Sequence, residues 1–558
     1  MSTHTSALSS GPASTLAFAR LPPSSSPPHQ HLCSILRTFD QRDSHKWHAA
    51  SKGWGDGAGS GGSGGTSSSS SSKQPTLRQA RIHCDDNRWA DVLPYDHSLL
   101  ALPRSAAYLN ASRISPLPLL SNSDSDCPTS KDQQQEHEHA GRTHARAYIA
   151  SQAPLPHTLD AFYSALVYNN ISLIINLTPL IENGKRKADA YWPSVNKSCN
   201  VPHHPASSSS SSSSHTAPAA LHHDDRHRHR HRHRDWDWSR SWEWHVTTES
   251  EERISSAHLQ KLLASGRANG EASSSGASSS NNSSSSNNNN NNNNSLQDVD
   301  LVKRVLSLCP RPAPVSSSGD GDGDGAFPAD GSGRDAVRAH SVTQLHLKSW
   351  PDHGVNSSET FEALLRCIEA VRAETRVING TPRDGEGATW VHCSAGVGRS
   401  GTVIGALLAR DLAARAGGSL NLGASNLSTD ADLVDALKGC LGDDGDALAS
   451  PPLANQEANT GSGTGTRRIA SALSKALKRT PPSTAQAESQ QSTRSASASA
   501  SEEAGRRLQR DALRDVCEIV HHLRESRARM IQTPAQLAML FEQVWQLKCE
   551  ALVGSVER

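Results

Sequence analysis

Tracts built from one or two residue types break this chain at intervals, and what lies between them, not the total length, sets what can fold. Residues 53–72 are rich in Gly and Ser, 121–144 are polar, and 207–214 are all serine. Arg and His alternate strictly over 226–234, and a Ser/Asn tract over 273–294 closes on eight consecutive asparagines. Residues 316–333 are mostly Gly and Asp, and 417–504 mostly Ala, Ser, Gly and Gln. Such segments bury too little apolar surface to offset the entropy of ordering them. Hydrophobic residues are accordingly only 35 % of the 558, against roughly 45–50 % in an ordinary globular chain. The tracts share composition without a fixed spacing, so a solenoid of stacked repeats is not indicated.

The pieces between them carry real periodicity. Residues 172–178 form a short apolar run suited to a buried strand, and 242–248, 298–308 and 342–347 have the alternation of strands. Over 358–372, Phe361, Leu364, Leu365, Ile368 and Val371 share one helical face behind Ser357, Ser358 and Glu359. Residues 506–524 and 533–552 also read as helices, the second opened by Thr533 as N-cap, Pro534 at the first position and Gln536 at the third. Together the ordered pieces amount to roughly 220–250 residues, the size of one domain. The expected organisation is a disordered Ser/Gly/Pro-rich region over 1–76 and one α/β (α+β) domain over 77–554. Insertions are expected at about 121–144, 203–235, 266–296, 312–335 and 417–504, where closure entropy grows only logarithmically with length.

Charge and cysteine usage narrow the function classes. Fifty-six basic residues balance fifty-six acidic ones, so no global field draws the chain to nucleic acid. No apolar run approaches the length of a membrane span. The first 37 residues lack the apolar core of a secretory signal and the Arg-lined face of a transit peptide, and a disordered tail is expected there. Ten cysteines with no CxxC pair fit free thiols in a reducing compartment, cytoplasmic or nuclear, better than disulfides or a zinc site.

The strongest local signal is His392-Cys393-Ser394-Ala395-Gly396-Val397-Gly398-Arg399-Ser400-Gly401, between a short strand at 389–391 and a helix at 403–412. A strand, a small-residue loop and a helix start make an anion site, because successive backbone N–H groups converge and the helix dipole adds positive charge. Ser394, Ala395, Gly396 and Gly398 let the backbone approach a tetrahedral oxyanion, and Arg399 offers a planar fork matched to two of its oxygens. The dipoles that would bind phosphate also favour the thiolate of Cys393, the nucleophilic form. Ser400 can donate a hydrogen bond to that sulfur. A lone cysteine is most often a buried hydrophobe, but here thiol, glycines and arginine stand together at the spacing an oxyanion requires.

These ten residues resemble the Cys-x5-Arg loop of the protein tyrosine phosphatases, in the tyrosine-specific, non-receptor branch. The resemblance implies one twisted mixed sheet flanked by helices, no metal or organic cofactor, and hydrolysis of phosphotyrosine through a cysteinyl-phosphate. It gives catalytic parts to Cys393, Arg399, Asp352, Gln532, Ser400 and His392, with phosphate held by residues 394–399, Val397 among them. Ser349-Trp350-Pro351-Asp352-His353-Gly354 looks like the family's acid loop, so Asp352 would protonate the leaving oxygen, with Trp350 and His353 in support. Met530-Ile531-Gln532-Thr533-Pro534-Ala535-Gln536 is similar to its glutamine loop, so Gln532, assisted by Gln536, would orient the hydrolytic water. Asn87-Arg88-Trp89-Ala90-Asp91 resembles the phosphotyrosine-recognition loop, with Trp89 walling the pocket and Asp91 receiving substrate backbone N–H groups. Two departures stand there: Asp86 replaces the usual lysine and Trp89 the usual tyrosine. Glu182 would brace Arg399, and Lys187 would reach toward Asp352.

Three readings stay open at this point: an active phosphotyrosine phosphatase, a dual-specificity enzyme, and a module that binds phosphotyrosine without turnover. Phosphotyrosine proteins are the expected partners and a monomer the expected state, without nucleic acid or a transmembrane segment. The polar insertions resemble those of fungal proteins, where phosphatases of this branch often act on mitogen-activated protein kinases. The Arg/His alternation at 226–234 reads as a solvated loop, and residues 467–479 as a transient basic helix.

Overall fold

The computed structural model describes residues 29–52, 75–103, 106, 108–118, 146–203, 242–271, 296, 299–312, 339–351, 354–378, 388–416 and 484–557. Most of the expected insertions, with the tracts at 226–234 and 467–479, lie outside the described residues. The helices are α1 His29–Lys52, α2 Arg78–Ile82, α3 Leu159–Tyr168, α4 Ser256–Glu271, α5 Ser358–Ile378, α6 Gly398–Arg415, α7 Thr484–Ser526 and α8 Pro534–Glu557. The strands are β1 Ala111–Ile114, β2 Tyr148–Ser151, β3 Leu173–Asn176, β4 Ile181–Glu182, β5 Lys185–Arg186, β6 Ser198–His203, β7 Trp242–Arg253, β8 Leu301–Pro312, β9 His340–Leu347 and β10 Thr389–His392. Among the described residues no helix is long and apolar enough to cross a membrane.

Eight strands form one mixed sheet in the order β1-β2-β10-β3-β9-β8-β7-β6, and β4 and β5 make a separate hairpin. The central four, β2, β10, β3 and β9, run parallel, while the outer pairings are antiparallel. A parallel strand is covered on both faces, so it reads as a continuous apolar run rather than an alternating one. Leu173–Asn176 and Thr389–His392 are buried at every position for this reason. The sheet faces separate neighbours in sequence: Ile175 and Val391 pack with the core of α1 and α5–α8, whereas Ile174 and Trp390 pack with Phe162, Tyr163 and Leu166 of α3.

The register places Ser151, His392, Asn176 and His346 side by side. Segments leaving these parallel strands therefore emerge at one edge, where α/β sheets bind ligands. Cys393, the 177–182 segment and the chain leading to Trp350 all begin there.

Two expectations need correction. The N-terminal 76 residues are not wholly disordered: α1 is a 24-residue helix with Leu32, Ile35, Leu36 and Phe39 buried in the main core. Those four stand at i, i+3, i+4 and i+7, an amphipathic stripe that the Ser- and Pro-rich residues before it obscure. The ordered chain also runs past the expected insertion boundaries, since α4 continues to Glu271 and α7 begins at Thr484. Alanine, glutamine, glutamate and arginine are good helix formers even without an apolar face, which lets α7 extend N-terminally into the Ala/Ser/Gln-rich tract.

Because Phe39 is fully buried, Phe39→Ala is expected to cost about 3–5 kcal/mol by urea denaturation, whereas an undocked helix would leave stability unchanged. Glu525 receives Lys46 and Arg42 of α1. Burial pushes its carboxyl up, but the Lys46 hydrogen bond and the two cationic charges outweigh this and hold it at about 2, below the usual 4.5. A depressed carboxylate stabilises the fold above its unfolded value and loses that contribution as pH falls through the folded one. Glu525→Gln should therefore flatten the stability profile between pH 4.5 and 2 and lower stability at neutral pH.

Candidate active site

Cys393 follows the last residue of β10, and α6 begins at Gly398, so the turn between them has only four residues to reverse direction. Gly396 makes this possible, with φ of +75° and its Cα so close to β2 that a Cβ would lie 2.1 Å from the Ser151 carbonyl oxygen. No other residue satisfies both conditions. The turn aims the Gly396 N–H at Cys393 Sγ, 3.2 Å away, and leaves the sulfur almost buried. Ser394 donates to the Lys187 carbonyl at 2.7 Å and its own carbonyl accepts from Ala153 N at 3.0 Å, tying the loop to both neighbouring segments.

Amides that converge on an anion force their carbonyls to face the protein interior, where each needs a donor. Arg527 supplies them. Its Nε donates to Gly396 O at 3.1 Å, and one terminal nitrogen to Ala395 O at 2.9 Å and Asn110 Oδ1 at 2.7 Å. The guanidinium is fully buried with no carboxylate among these partners, and burial pulls it down to about 10 against the opposing pull of Tyr108 and Cys393. It remains charged at neutral pH and adds a positive field beneath the loop. Sequence reading missed this residue. The signal was spacing, since Val516, Val520, Leu523 and Arg527 stand at i, i+4, i+7 and i+11, which puts an arginine in line with the apolar stripe of α7, one residue past its end.

Arg399, also buried, is held by two walls. One terminal nitrogen donates to both Glu182 oxygens at 2.8 Å, and the other to Thr178 Oγ1 at 3.0 Å and Leu177 O at 3.3 Å. Glu182 sits on the β4–β5 hairpin, turned by Asn183 and Gly184 with φ of 51° and 71°, the Asn-Gly pair that two-residue hairpins favour.

His392 is fully buried, and burial pushes its imidazole down to about 3 against the raising effect of the Cys393 carbonyl. Gln344 donates to Tyr191 Oη at 2.7 Å, which leaves the Tyr191 proton for His392 Nε2 at 2.8 Å. His392 is thus neutral, with its proton on Nδ1 directed at the Cys393 carbonyl 3.3 Å away. It touches the backbone of Cys393 and not its sulfur. The hydrogen bond expected from Ser400 to the sulfur is not formed, because Ser400 Oγ is buried with no partner among the described residues.

The other walls come from distant segments. The Trp89 loop is pinned by Asn87, whose amide donates to the carbonyls of Ala80 and His83, and by Arg88, which pairs with Asp189 at 2.7 Å. Trp89, next in the chain after these anchors, is 38 % exposed, with Lys187 Nζ 6.0 Å from its ring centre. Asp91 accepts from Arg529 at 2.6 Å, and Asp86 lies between His83 and His157 at 3.1 and 3.3 Å. Gln532 and Gln536 stand over the first residue of α6: a Cβ on Gly398 would fall 2.8 Å from Gln532 Oε1 and 3.1 Å from Gln536 Nε2. Gln536 is buried, accepts the Gln532 N–H at 2.9 Å on its side chain and donates its own N–H to the Thr533 Oγ1 cap at 3.2 Å. Trp350 is buried against Phe361, with its indole N–H on the Gly354 carbonyl. Asp352 and His353 lie outside the described residues.

A Cβ at position 396 must displace β2, so Gly396→Ala should abolish detectable tungstate binding by calorimetry and lower the melting temperature. Retained affinity would show that the loop does not need the αL turn.

The family model described as protein-tyrosine phosphatase matches residues 83–261 and 329–423. Receptor-type tyrosine-protein phosphatase-like N of Homo sapiens is 34 % identical over 117 residues, 20 % of this chain and 10 % of that protein. Tyrosine-protein phosphatase non-receptor type 20 of Rattus norvegicus is 33 % identical over 109 residues, 20 % of this chain and 20 % of that protein. The chain thus matches a tenth to a fifth of the length of these relatives. A crystal structure of the catalytic domain of human protein tyrosine phosphatase non-receptor type 18 aligns over 93 % of this chain and 98 % of that one, at 16 % identity and a TM-score of 0.37. With the two matched segments covering all four parallel strands and the Cys393 loop, the chain carries a domain of the protein-tyrosine phosphatase family.

Proposed function

We propose that this protein hydrolyses phosphotyrosine in proteins through a cysteinyl-phosphate intermediate. The observation that carries the reading is the pairing of an almost buried Cys393 Sγ under the Gly396 N–H with an Arg399 fork fixed by Glu182. In the first step Sγ attacks phosphorus, the S–P bond forms and the bond to the phenolic oxygen breaks. Loop amides and Arg399 hold the non-bridging oxygens throughout, an arrangement that costs no reorganisation when charge develops. Asp352, assigned from its sequence context, gives its proton to the departing phenolate. In the second step a water positioned by Gln532 and Gln536 attacks phosphorus, Asp352 takes its proton, and the sulfur leaves as thiolate.

The anchored Trp89 loop favours tyrosine over the shorter phosphoserine and phosphothreonine. Two pinned residues, Asn87 and Arg88, come directly before Trp89 and fix where its ring can stand as a wall for an aryl group. We further propose that the enzyme acts as a monomer in the cytoplasm or nucleus, with mitogen-activated protein kinases as substrates. The resemblance of its polar insertions to those of fungal proteins supports the choice of substrate.

Release of phosphate from matched phosphotyrosine, phosphoserine and phosphothreonine peptides, with chelator present, tests the reading. Turnover is expected on phosphotyrosine alone. Cys393→Ser should abolish it while keeping peptide affinity, and Asp352→Ala should lower kcat by about 10²–10⁴-fold. Equal rates on all three peptides would mean a shallower, dual-specificity site, and binding without turnover by the wild type would mean a phosphotyrosine trap.

A further inference from the structure

The backbone carrying Gln532 is strained. Arg529 and Ile531 both have φ of 63°, a region where a β-branched residue is a genuine outlier. Such a conformation persists only where its neighbours over-determine it. Two of these constraints come from Arg524, fully buried at the end of α7, whose Nε donates to Met530 O at 3.0 Å and Nη2 to Ile531 O at 2.8 Å. A third is the Ile531 N–H, which donates to Val397 O in the Cys393 loop at 3.1 Å.

What fixes Arg524 lies on α1. Its Nη1 donates to Asp43 Oδ2 at 3.0 Å and to Asp40 Oδ1 at 2.8 Å, and Phe39 lies 5.5 Å beneath the guanidinium. The same Asp43 oxygen accepts the Arg529 N–H at 2.8 Å. Asp43 is 4 % exposed, whereas Asp40 is 58 % exposed and touches only the guanidinium in this set. One buried carboxylate therefore holds both the clamp on residues 530 and 531 and the first of the two αL residues.

We propose that Asp43, on the N-terminal helix, is a positioning residue for Gln532 in the hydrolysis of the cysteinyl-phosphate. The assignment rests on the function proposed above. In that step water oxygen bonds to phosphorus, the S–P bond breaks with its electron pair returning to Cys393, and the water proton passes to the general base. Gln532 acts only on this second step, so loosening its backbone slows hydrolysis and spares formation of the intermediate.

Rapid mixing of the 558-residue chain with p-nitrophenyl phosphate separates the steps. Asp43→Asn is expected to lower kcat by about ten- to a hundredfold, the scale on which small misplacements act. A burst of p-nitrophenol approaching one equivalent should appear, with a burst rate within about twofold of wild type. An unchanged kcat, or a burst rate falling in step with kcat, overturns the assignment. If Asp43→Asn does not fold, Asp40→Asn decides, a smaller burst of the same kind supporting the assignment and none overturning it. A wild-type protein that never forms the cysteinyl-phosphate overturns the function itself, and this assignment with it. Wild-type turnover without the Asp43 effect overturns the assignment alone.

Discussion

A loop that turns its amides toward an anion must turn its carbonyls away from it, and in this protein those carbonyls meet the buried guanidinium of Arg527. Much else follows from that contact. Arg527 stands just past the end of α7, is oriented by Asn110 before β1 and Ser112 within it, and has no solvent to fall back on. An unpaired buried carbonyl costs about 1–3 kcal/mol, so the loop and its support form together or not at all. The positive field of the site is therefore a property of three segments far apart in sequence, not of the Cys393 loop alone.

The sheet contributes direction. Parallel strands β2, β10, β3 and β9 end in register, which gathers Cys393, the Arg399 wall and the Trp350 segment at one edge without any of them being neighbours in sequence. Arg399 then needs only the β4–β5 hairpin to lock its fork, and the hairpin needs only Asn183 and Gly184 to turn. Each requirement is local, and each is visible in the residue types used.

Legibility in the sequence followed how local each signal was. The strand at 173–176 and the helix at 358–378 were readable because their periodicity is contained in one segment. Residues 392–401 were readable because small residues, thiol and arginine at fixed spacing point to one chemistry. The helix α1 was not, although Leu32, Ile35, Leu36 and Phe39 carry a clean stripe, since neighbouring Ser and Pro residues masked it. Arg527 continues the spacing of an apolar stripe, but Arg524 and Asp43 look like ordinary surface charges in a helical sequence. Only the tertiary structure shows them buried, because burial of a charge is decided by partners that lie hundreds of positions away.

That separation has a consequence for how the protein is made. Asp40 and Arg524 are 484 positions apart, so the contacts that shape the glutamine loop cannot form until nearly all of this sequence has left the ribosome. Until then α1 has an apolar stripe and two carboxylates with nothing to receive them. The low-complexity tracts lengthen the loop that must close, but each doubling of length adds only about 0.6 kcal/mol. Their bulk is tolerated thermodynamically, and the toll falls on time: the Cys393 site is completed late, by the meeting of early and late residues.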